Sequence, residues 1–426
     1  MFDALFTTTT EYKKLSHALS GKGACALFGL PASGRAQVYA ALCRQLDKPL
    51  CIVTPGEAEA TRFAADLNTL GIPAAVFPAR DYVLRPIEGT AREYEYRRLA
   101  VLGELVGGRL RAVAVPAEAL TQFTTPKEDF CANTRTLHAG DTLLRDDLLA
   151  ALFGAGYTRR AQVDGPGQFS VRGDIVDIFA PDQKMPVRME FWGDEIDTLH
   201  TFDLTTQRRE DAIDKFYLSP AREVLFGKPA DAAEQLRAFL AKQRGKKKTA
   251  MADCMAADLD LLDGGAVPVN MDKYLAVRYP HPATVLDYFD DPILVAEEPA
   301  SIREADRATA YRRGEELKSL ILDGVLCAGL DNLYADPSYL WSKTGHYRTI
   351  CAENFARSMP DQPLKDIINA PAHALPAWNG EVAGLLEDLK PLCDAGYTVT
   401  LLAGTDRAAA GLARDLRDKG ILVTTD

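Results

Sequence analysis

The chain has 426 residues and a formal net charge of −11 at pH 7, and 47% of its residues are hydrophobic. This composition is typical of a globular protein, and at about 100 to 200 residues per domain the length predicts roughly three domains. The negative charge opposes non-specific attraction to nucleic acid and favours a protein as the binding partner. No apolar run approaches the roughly 18 residues of a membrane span, and the first residues lack the pattern of a signal peptide, so we expect a cytoplasmic chain without a membrane partner.

The first part of the chain alternates buried-strand runs with helical patterns, which predicts a parallel sheet. The predicted strands cover residues 24–28, 50–54, 74–77 and 111–115. The best-marked helix begins at a capping box, Thr90 to Glu93, and runs to residues 107–108. Its apolar positions, which we expect to face inward, are Leu99, Leu102, Leu105 and Val106.

The segment after the first predicted strand, residues 29–36, has the glycine spacing of a phosphate-binding P-loop. A working P-loop follows its second glycine with lysine and then with Ser or Thr for Mg²⁺, whereas Arg35 and Ala36 stand here. Alanine cannot ligate a metal, and a guanidinium does not replace the point charge of lysine. Three interpretations stay open at this point: an NTPase-derived fold that has lost nucleotide binding, an ordinary strand-to-helix turn, and an unusual active site.

A hydrophobic strand pattern from Ile293 ends in the acids Glu297 and Glu298. A P-loop protein has its Walker B strand with this pattern, usually ending in Asp-Glu to hold Mg²⁺ and activate water. A strand ending in a solvated acidic turn is the simpler interpretation, but the altered P-loop gives the nucleotide-site interpretation more weight. The predicted degenerate nucleotide site comprises Gly29, Gly34, Arg35, Ala36, Glu297 and Glu298.

Between these two motifs, residues 163–202 form short alternating segments with Gly-Asp pairs at 173–174 and 193–194, which predicts antiparallel hairpins. Alternation along residues 187–192 puts Val187, Met189 and Phe191 on one face and Arg188, Glu190 and Trp192 on the other. We expect the second face, which also carries Ser170 and Arg172, to lie outside the core.

Other chemistry is weakly represented. The motifs H-E-x-x-H, G-x-S-x-G and G-x-G-x-x-G are absent, and no two of the six histidines are close in sequence, so we predict neither a hydrolase nor a metal site. The eight scattered cysteines are predicted to be reduced core thiols. Beyond an irregular stretch at residues 331–372, helices are predicted at 382–392 and 406–419 and strands at 397–402 and 421–423. That layer looks incomplete at residue 426, as in a piece of a longer protein.

Residues 167–179, 186–196 and 202–208 resemble the UvrA-binding domain shared by the excision-repair protein UvrB and the transcription-repair coupling factor (Mfd). Residues 77–82 and the helix containing Arg97-Arg98-Leu99 are similar to the flanking domain of that family, and the resemblance covers nearly the whole chain. Only about ten residues separate Arg80 from Thr90, which leaves no room for the DNA-clamping hairpin of UvrB. With the altered P-loop, this favours the amino-terminal third of a coupling factor.

The resemblance implies an α/β fold in which a UvrB-like, P-loop-derived parallel-sheet domain carries an inserted small, mostly antiparallel domain and is followed by a partial α/β domain. The implied boundaries are 1–121 and 217–360 for the two parts of the UvrB-like domain, 122–216 for the inserted UvrA-binding domain, and 361–426 for the last domain.

The function that the resemblance implies is recruitment of UvrA to stalled RNA polymerase, which links transcription to nucleotide excision repair without catalysis by this chain. The implied recognition residues are Arg172, Arg188 and Trp192, with Phe191 beside them; family members more commonly have phenylalanine where Trp192 stands. No metal or cofactor is expected here. The resemblance assigns ATP, Mg²⁺, DNA and RNA polymerase to the translocase and polymerase-binding parts of a longer protein.

Two other functions stay open. One is a UvrB-type, ATP-dependent enzyme that processes damaged DNA through a tolerant P-loop, and the other is a module that chiefly masks its own UvrA-binding face. At the level of side chains, Arg188 could instead pair with Glu190 or another neighbouring acid, and Trp192 could be a lid on the core.

Overall fold

The structure is a computed structural model. It describes residues 7–424 except 88–91, 360–361, 373–381, 398, 402 and 404. The strands are β1 (Gly23–Phe28), β2 (Leu50–Thr54), β3 (Ala74–Val76), β4 (Ala112–Pro116), β5 (Arg135–His138), β6 (Thr158–Arg159), β7 (Gln168–Arg172), β8 (Ile175–Phe179), β9 (Val187–Trp192), β10 (Glu195–Phe202), β11 (Arg209–Ala212), β12 (Lys215–Leu218), β13 (Ile293–Glu297), β14 (Arg348–Glu353) and β15 (Leu364–Asn369). The helices are α1 (Thr10–Ala18), α2 (Ala32–Leu46), α3 (Glu57–Thr69), α4 (Glu93–Val106), α5 (Ala117–Leu120), α6 (Lys127–Ala132), α7 (Arg145–Gly154), α8 (Pro229–Ala241), α9 (Gly245–Asp263), α10 (Leu275–Arg278), α11 (Pro299–Leu322), α12 (Tyr339–Lys343), α13 (Val382–Asp394) and α14 (Asp406–Asp418), with 3₁₀ turns at Met271–Tyr274 and Val285–Tyr288.

The chain forms two compact units, residues 1–371 and 372–426. The larger unit is built on a seven-stranded sheet in the order β15-β1-β14-β13-β2-β4-β3. All neighbouring strands of this sheet run parallel, which confirms the predicted α/β class. The four strands predicted in the first part of the chain all lie in this sheet.

Helices cover both faces of the seven-stranded sheet, which explains why every residue of β2 and β13 is buried. Alternate residues of each strand serve different cores: Leu50 and Ile52 pack with α1, α2 and α3, whereas Cys51 and Val53 pack with α4 and the start of α11. A third apolar cluster joins α8, α9 and the end of α11.

A six-stranded sheet in the order β11-β10-β9-β8-β7-β6 forms the inserted part of the larger unit. Strands β7 to β11 pair antiparallel, as the Gly-Asp turns predicted, and β6 joins β7 in parallel. Leu148 and Leu152 of α7 pack on the inner face of this sheet against Phe169 and Met189. Strands β5 and β12 pair as a two-stranded antiparallel sheet, and Leu137 and Phe216 from these strands pack in the same apolar cluster as the six-stranded sheet.

Several local predictions need correction. Helix α4 begins at Glu93, with Arg92 as its N-cap, and the Thr90 part of the predicted capping box lies outside the described residues. Helices α13 and α14 form as predicted, but the described residues of 397–402 and 421–423 are not strands. Four of their apolar residues pack in one cluster with the two helices, namely Val399, Leu401, Ile421 and Val423. Cys131 and Cys393 are exposed and not core thiols.

The finer domain boundaries remain predictions. Strand β15, which belongs to the predicted last domain, pairs with β1 of the large sheet.

A network of buried charges joins the large sheet, the insertion and the helical region. Arg98 of α4 donates to both carboxylate oxygens of Glu223, at 2.6 and 3.2 Å, and Arg80 donates to both oxygens of Asp272, at 2.7 and 3.2 Å. The Nε of Arg80 also lies 3.3 Å from Glu223. Gln122 accepts from Arg98 and from the backbone N–H of Arg80. Bidentate pairs of this kind fix geometry strongly because both partners are planar.

Glu95 extends the same network. Its carboxylate accepts from the backbone N–H of Glu223 at 2.9 Å and pairs with Arg92 at 2.8 Å. Burial alone would raise the pKa of Glu95, but Arg80, Arg92 and Arg222 outweigh it and hold this pKa at about 2. Glu95 therefore stays ionised throughout the physiological pH range.

We predict that Glu223→Gln lowers the free energy of unfolding by about 3 to 5 kcal/mol, because it leaves two buried arginines with too little counter-charge. Urea denaturation measures this loss. The matched control is Glu104→Gln, which removes an exposed ion pair with Arg109 and is expected to cost under about 1 kcal/mol. Equal losses of unfolding free energy in the two variants would show that the buried network does not hold the large sheet, the insertion and the helical region together.

Candidate functional site

The outer face of the six-stranded sheet, the face opposite α7, carries a row of polar residues. Strand register places Ser170, Asp177, Arg188 and His200 directly opposite one another on four adjacent strands. Because side chains alternate along each strand, all four point away from the core that contains Met189.

Asp177 is the centre of this row. Its side chain is 1% exposed and accepts hydrogen bonds from Nε and Nη2 of Arg188, at 2.7 and 3.0 Å, and from Nη2 of Arg172, at 2.5 Å. The Nη1 of Arg188 donates to the carbonyl of Gln207 at 3.2 Å, and its guanidinium carbon lies 4.8 Å from the centre of the Phe202 ring. One carboxylate thus holds two arginines.

Arg188 and Ser170 lie on the outer face, outside the core as predicted, but they are covered and not exposed to solvent. The Arg188 side chain is 11% exposed and Ser170 is buried. The physical reason is the chain that follows β10: Gln207 reaches the Arg188 guanidinium, and Leu204 packs with Val163 and other apolar residues at one end of the face. The pairing of Arg188 with a neighbouring acid, which the sequence left open, is the arrangement in the structure, and the acid is Asp177.

Phe191 is not available to a partner in this structure. It lies on the inner face and is buried with Leu148 and Leu152 of α7, as its alternation with Arg188 and Trp192 requires. Its inclusion among the predicted recognition residues is therefore corrected to a core role.

Trp192 and Arg172 are the exposed members of the predicted recognition set. Trp192 is 82% exposed, at the end of β9 beside the turn at Gly193, so it is not a lid on the core. The Arg172 side chain is 46% exposed. Arg145, which the sequence analysis did not single out, donates to the carbonyl of Gly173 at 2.9 Å and adds a second exposed cation near Arg172. Asp177 was also missed, although an acid between Val176 and Ile178 is a detectable irregularity in an apolar strand.

The turn after β1 holds the P-loop-like segment. Gly29 has a φ of +92°, and a Cβ at this position would lie 2.7 Å from the carbonyl oxygen of Ala370. Helix α2 begins at Ala32 with Pro31 as its N-cap, so that Gly34 is already helical. The loop between β1 and α2 is therefore short.

The predicted residues Arg35, Glu297 and Glu298 do come together. The Nη2 of Arg35 lies 2.8 Å from Glu297 and 3.0 Å from Glu298, and its Nη1 donates to Asn354 at 3.1 Å and to the carbonyl of Leu30 at 3.2 Å. The guanidinium is buried. Ala36 of α2 is buried in the core and contributes no polar atom to this cluster.

Tyr39, one helical turn after Arg35, was not predicted as part of the cluster. Its hydroxyl donates to Glu297 at 2.5 Å. Burial raises the pKa of Glu297 to about 7, against Arg35 and the Tyr39 hydroxyl, which lower it. Among the residues that the structure describes, no group of histidine, cysteine and acidic side chains could hold a metal ion.

No helix in the described ranges is long and apolar enough to cross a membrane.

Comparison with known proteins places these features in a family context. Residues 136–224 match the family model of the UvrB interaction domain. The matched segment contains β7 to β12 and all of the predicted recognition residues.

Most of the chain is similar to transcription-repair-coupling factors. It is 25% identical over 406 residues to that of Bacillus subtilis (strain 168), covering 93% of this chain and 34% of the relative. It is 35% identical over 208 residues to that of Myxococcus xanthus, covering 46% and 17%, and 34% identical over 257 residues to that of Mycobacterium bovis, covering 58% and 20%.

The chain spans about a third of the length of the curated relatives that match most of it. The match to the family model and the similarity to coupling factors confirm the resemblance seen in the sequence. The chain is therefore similar over most of its length to transcription-repair-coupling factors, and its residues 136–224 match the UvrB interaction domain.

Proposed function

We propose that this chain recruits UvrA in transcription-coupled nucleotide excision repair, and that it binds UvrA through the exposed side chains of Trp192 and Arg172. The observation that carries this proposal is the 82% exposure of Trp192 on the outer face of the UvrB interaction domain. Exposing a large apolar side chain to water to that degree is unfavourable in the isolated chain. Covering it with a partner contributes favourably to the free energy of binding.

The chemistry of the face supports a protein partner. Tryptophan and arginine are the residue types most enriched at the energetic centres of interfaces. Arg172 can pair bidentately with a carboxylate, and the Trp192 indole can enter an apolar pocket while its N–H donates to a polar atom at the rim.

We also propose that the P-loop-derived site of this chain does not bind nucleotide. Arg35 is already paired with Glu297 and Glu298, so it is not available to a phosphate, and the early start of α2 shortens the loop that would cradle one. No hydroxyl stands at position 36 to hold Mg²⁺. The work of the chain in this proposal is binding, and contacts with RNA polymerase, DNA and ATP are assigned to the parts of a coupling factor outside the matched third.

The first prediction of this subsection concerns the exposed side chain of Trp192. Calorimetric titration of UvrA into the chain should give saturable binding, and Trp192→Ala should weaken it by about 30-fold or more, since truncating a hot-spot residue commonly costs about 2 kcal/mol. Tyr311→Ala is the matched control, because Tyr311 is an aromatic residue 74% exposed on α11, outside the UvrB interaction domain. Unchanged UvrA affinity in Trp192→Ala, or the same loss in both variants, would contradict the proposal.

The second prediction concerns nucleotide. Titration of ATP with Mg²⁺ into the chain should give no saturable heat up to millimolar ATP, with an intact P-loop protein measured in parallel as the positive control. A Kd below about 1 mM, which corresponds to a binding free energy beyond about −4 kcal/mol, would instead support the UvrB-type enzyme.

The third prediction follows from the pKa of Glu297, which is about 7 in the folded chain against its ordinary value of 4.5. Between these values the folded state binds more protons than the unfolded state, so this group stabilises the fold least at high pH. The free energy of unfolding should fall from pH 5 to pH 8, with up to about 3 kcal/mol of the fall due to Glu297.

Glu297→Gln cannot ionise at this position and should lose less stability over the same interval. Urea denaturation at pH 5, 6, 7 and 8 makes the comparison. Parallel pH profiles for the two proteins would show that Glu297 does not titrate in this range.

A further inference from the structure

The outer face of the six-stranded sheet carries Arg172 and Arg188. These two arginines differ in how many of their N–H donors are free to bind a partner. We propose that Asp177 is the positioning residue of this face and that Arg172 is the side chain that contacts the partner. Arg188 is then a buried strut, a side chain that holds Asp177 in place without contacting the partner. This inference rests on the proposed function and adds a division of roles between two arginines that otherwise look equivalent.

Arg188 has little left to offer a partner. Its Nε and Nη2 are bound to Asp177, its Nη1 is bound to the Gln207 carbonyl, and one face of its guanidinium lies against Phe202. A partner carboxylate could reach it only after breaking these contacts. Removing one member of such a buried pair leaves an uncompensated charge, so Arg188 affects binding by holding Asp177 in place.

Arg172 is in the opposite situation. Within the described residues its guanidinium makes a single hydrogen bond, from Nη2 to Asp177, and nearly half of the side chain is exposed. A guanidinium has five N–H donors, so most of the donors of Arg172 are free for a partner. The bond to Asp177 limits the rotamers of a long side chain, and this lowers the entropy cost of ordering it in a complex.

The three charges sum to one positive charge, because Asp177 neutralises Arg188 and leaves Arg172 in excess. Arg172 lies on β7 and Trp192 on β9, with β8 between them. The strand register aligns Arg172 with Ile175 and Glu190, so Trp192 lies two residues further along β9. At a strand spacing of about 4.8 Å and a rise of about 3.4 Å per residue, the two side chains start about 12 Å apart. The face therefore fits a partner surface with a carboxylate roughly that distance from an apolar pocket.

A double-mutant cycle on UvrA affinity tests the proposal, with Asp177→Asn, Arg172→Ala and the double variant measured by calorimetry. Asp177→Asn keeps the shape of the side chain and removes its charge. We expect each single variant to weaken UvrA binding about tenfold or more and the double variant to bind within about twofold of Arg172→Ala, because Asp177 acts through Arg172. Losses that multiply in the double variant would overturn the proposal.

Arg188→Lys separates a strut from a contact. An ammonium still neutralises Asp177 but cannot reproduce a planar bidentate contact with a partner. We expect this variant to keep UvrA affinity within about fivefold of the wild type. A loss as large as that of Arg172→Ala would assign Arg188 to the interface and overturn its role as a strut.

A second measurement shows whether the variants are folded and does not involve UvrA. In NMR spectra of arginine side chains, the Nε–H of Arg188 should exchange slowly with water in the wild type and in Arg172→Ala, and rapidly in Asp177→Asn while the backbone spectrum stays native. Slow exchange in Asp177→Asn would contradict the positioning role.

The outcomes also separate this inference from the proposed function. If the wild-type chain does not bind UvrA, both the proposed function and the inference about Asp177 are wrong. A wild-type chain that binds UvrA, together with an Asp177→Asn variant of unchanged affinity, removes only the inference about Asp177.

Discussion

The buried pairing of Arg98 with Glu223 is the constraint on which the rest of the structure depends. Gln122, where the chain leaves for the inserted sheet, and Glu223, where it returns, are both bound to Arg98 of α4. Burying such charges is expensive unless every partner is in place, so the network tolerates only one arrangement of these segments. The inserted sheet, and with it the outer face, is therefore attached to the large sheet in a fixed position.

Buried arginines recur in this chain in the same role. Arg35 is paired with Glu297 and Glu298, and Arg188 is paired with Asp177. In both places a side chain that the sequence marks as a candidate for binding a ligand is satisfied within the protein. The exposed exceptions, Arg172 and Trp192, are therefore the informative ones, because nothing within the described chain covers them to the same degree.

Much of the fold could be predicted from the sequence, because runs such as Leu50–Thr54 show β-strands buried on both faces and the Gly-Asp pairs show hairpins. Alternation correctly separated Phe191 from Arg188 and Trp192, but it cannot show what covers each face. Whether Arg188 is exposed depends on a later loop, through Gln207, and on an acid in another strand. Residues 397–402 have a strand-like pattern, yet a strand requires a neighbour that local sequence does not reveal.

The surroundings of Gly29 bear on how much a P-loop-like glycine says about nucleotide binding. The first glycine of a P-loop is usually explained by the phosphate it admits, but here the chain after β15 passes so close that the Ala370 carbonyl takes that space. The backbone of this passing segment is also bonded to the end of β1, through Ala370 N–H and Phe28 C=O at 2.9 Å. Packing alone therefore requires a glycine at this position, and a glycine at P-loop spacing is by itself poor evidence for a bound phosphate.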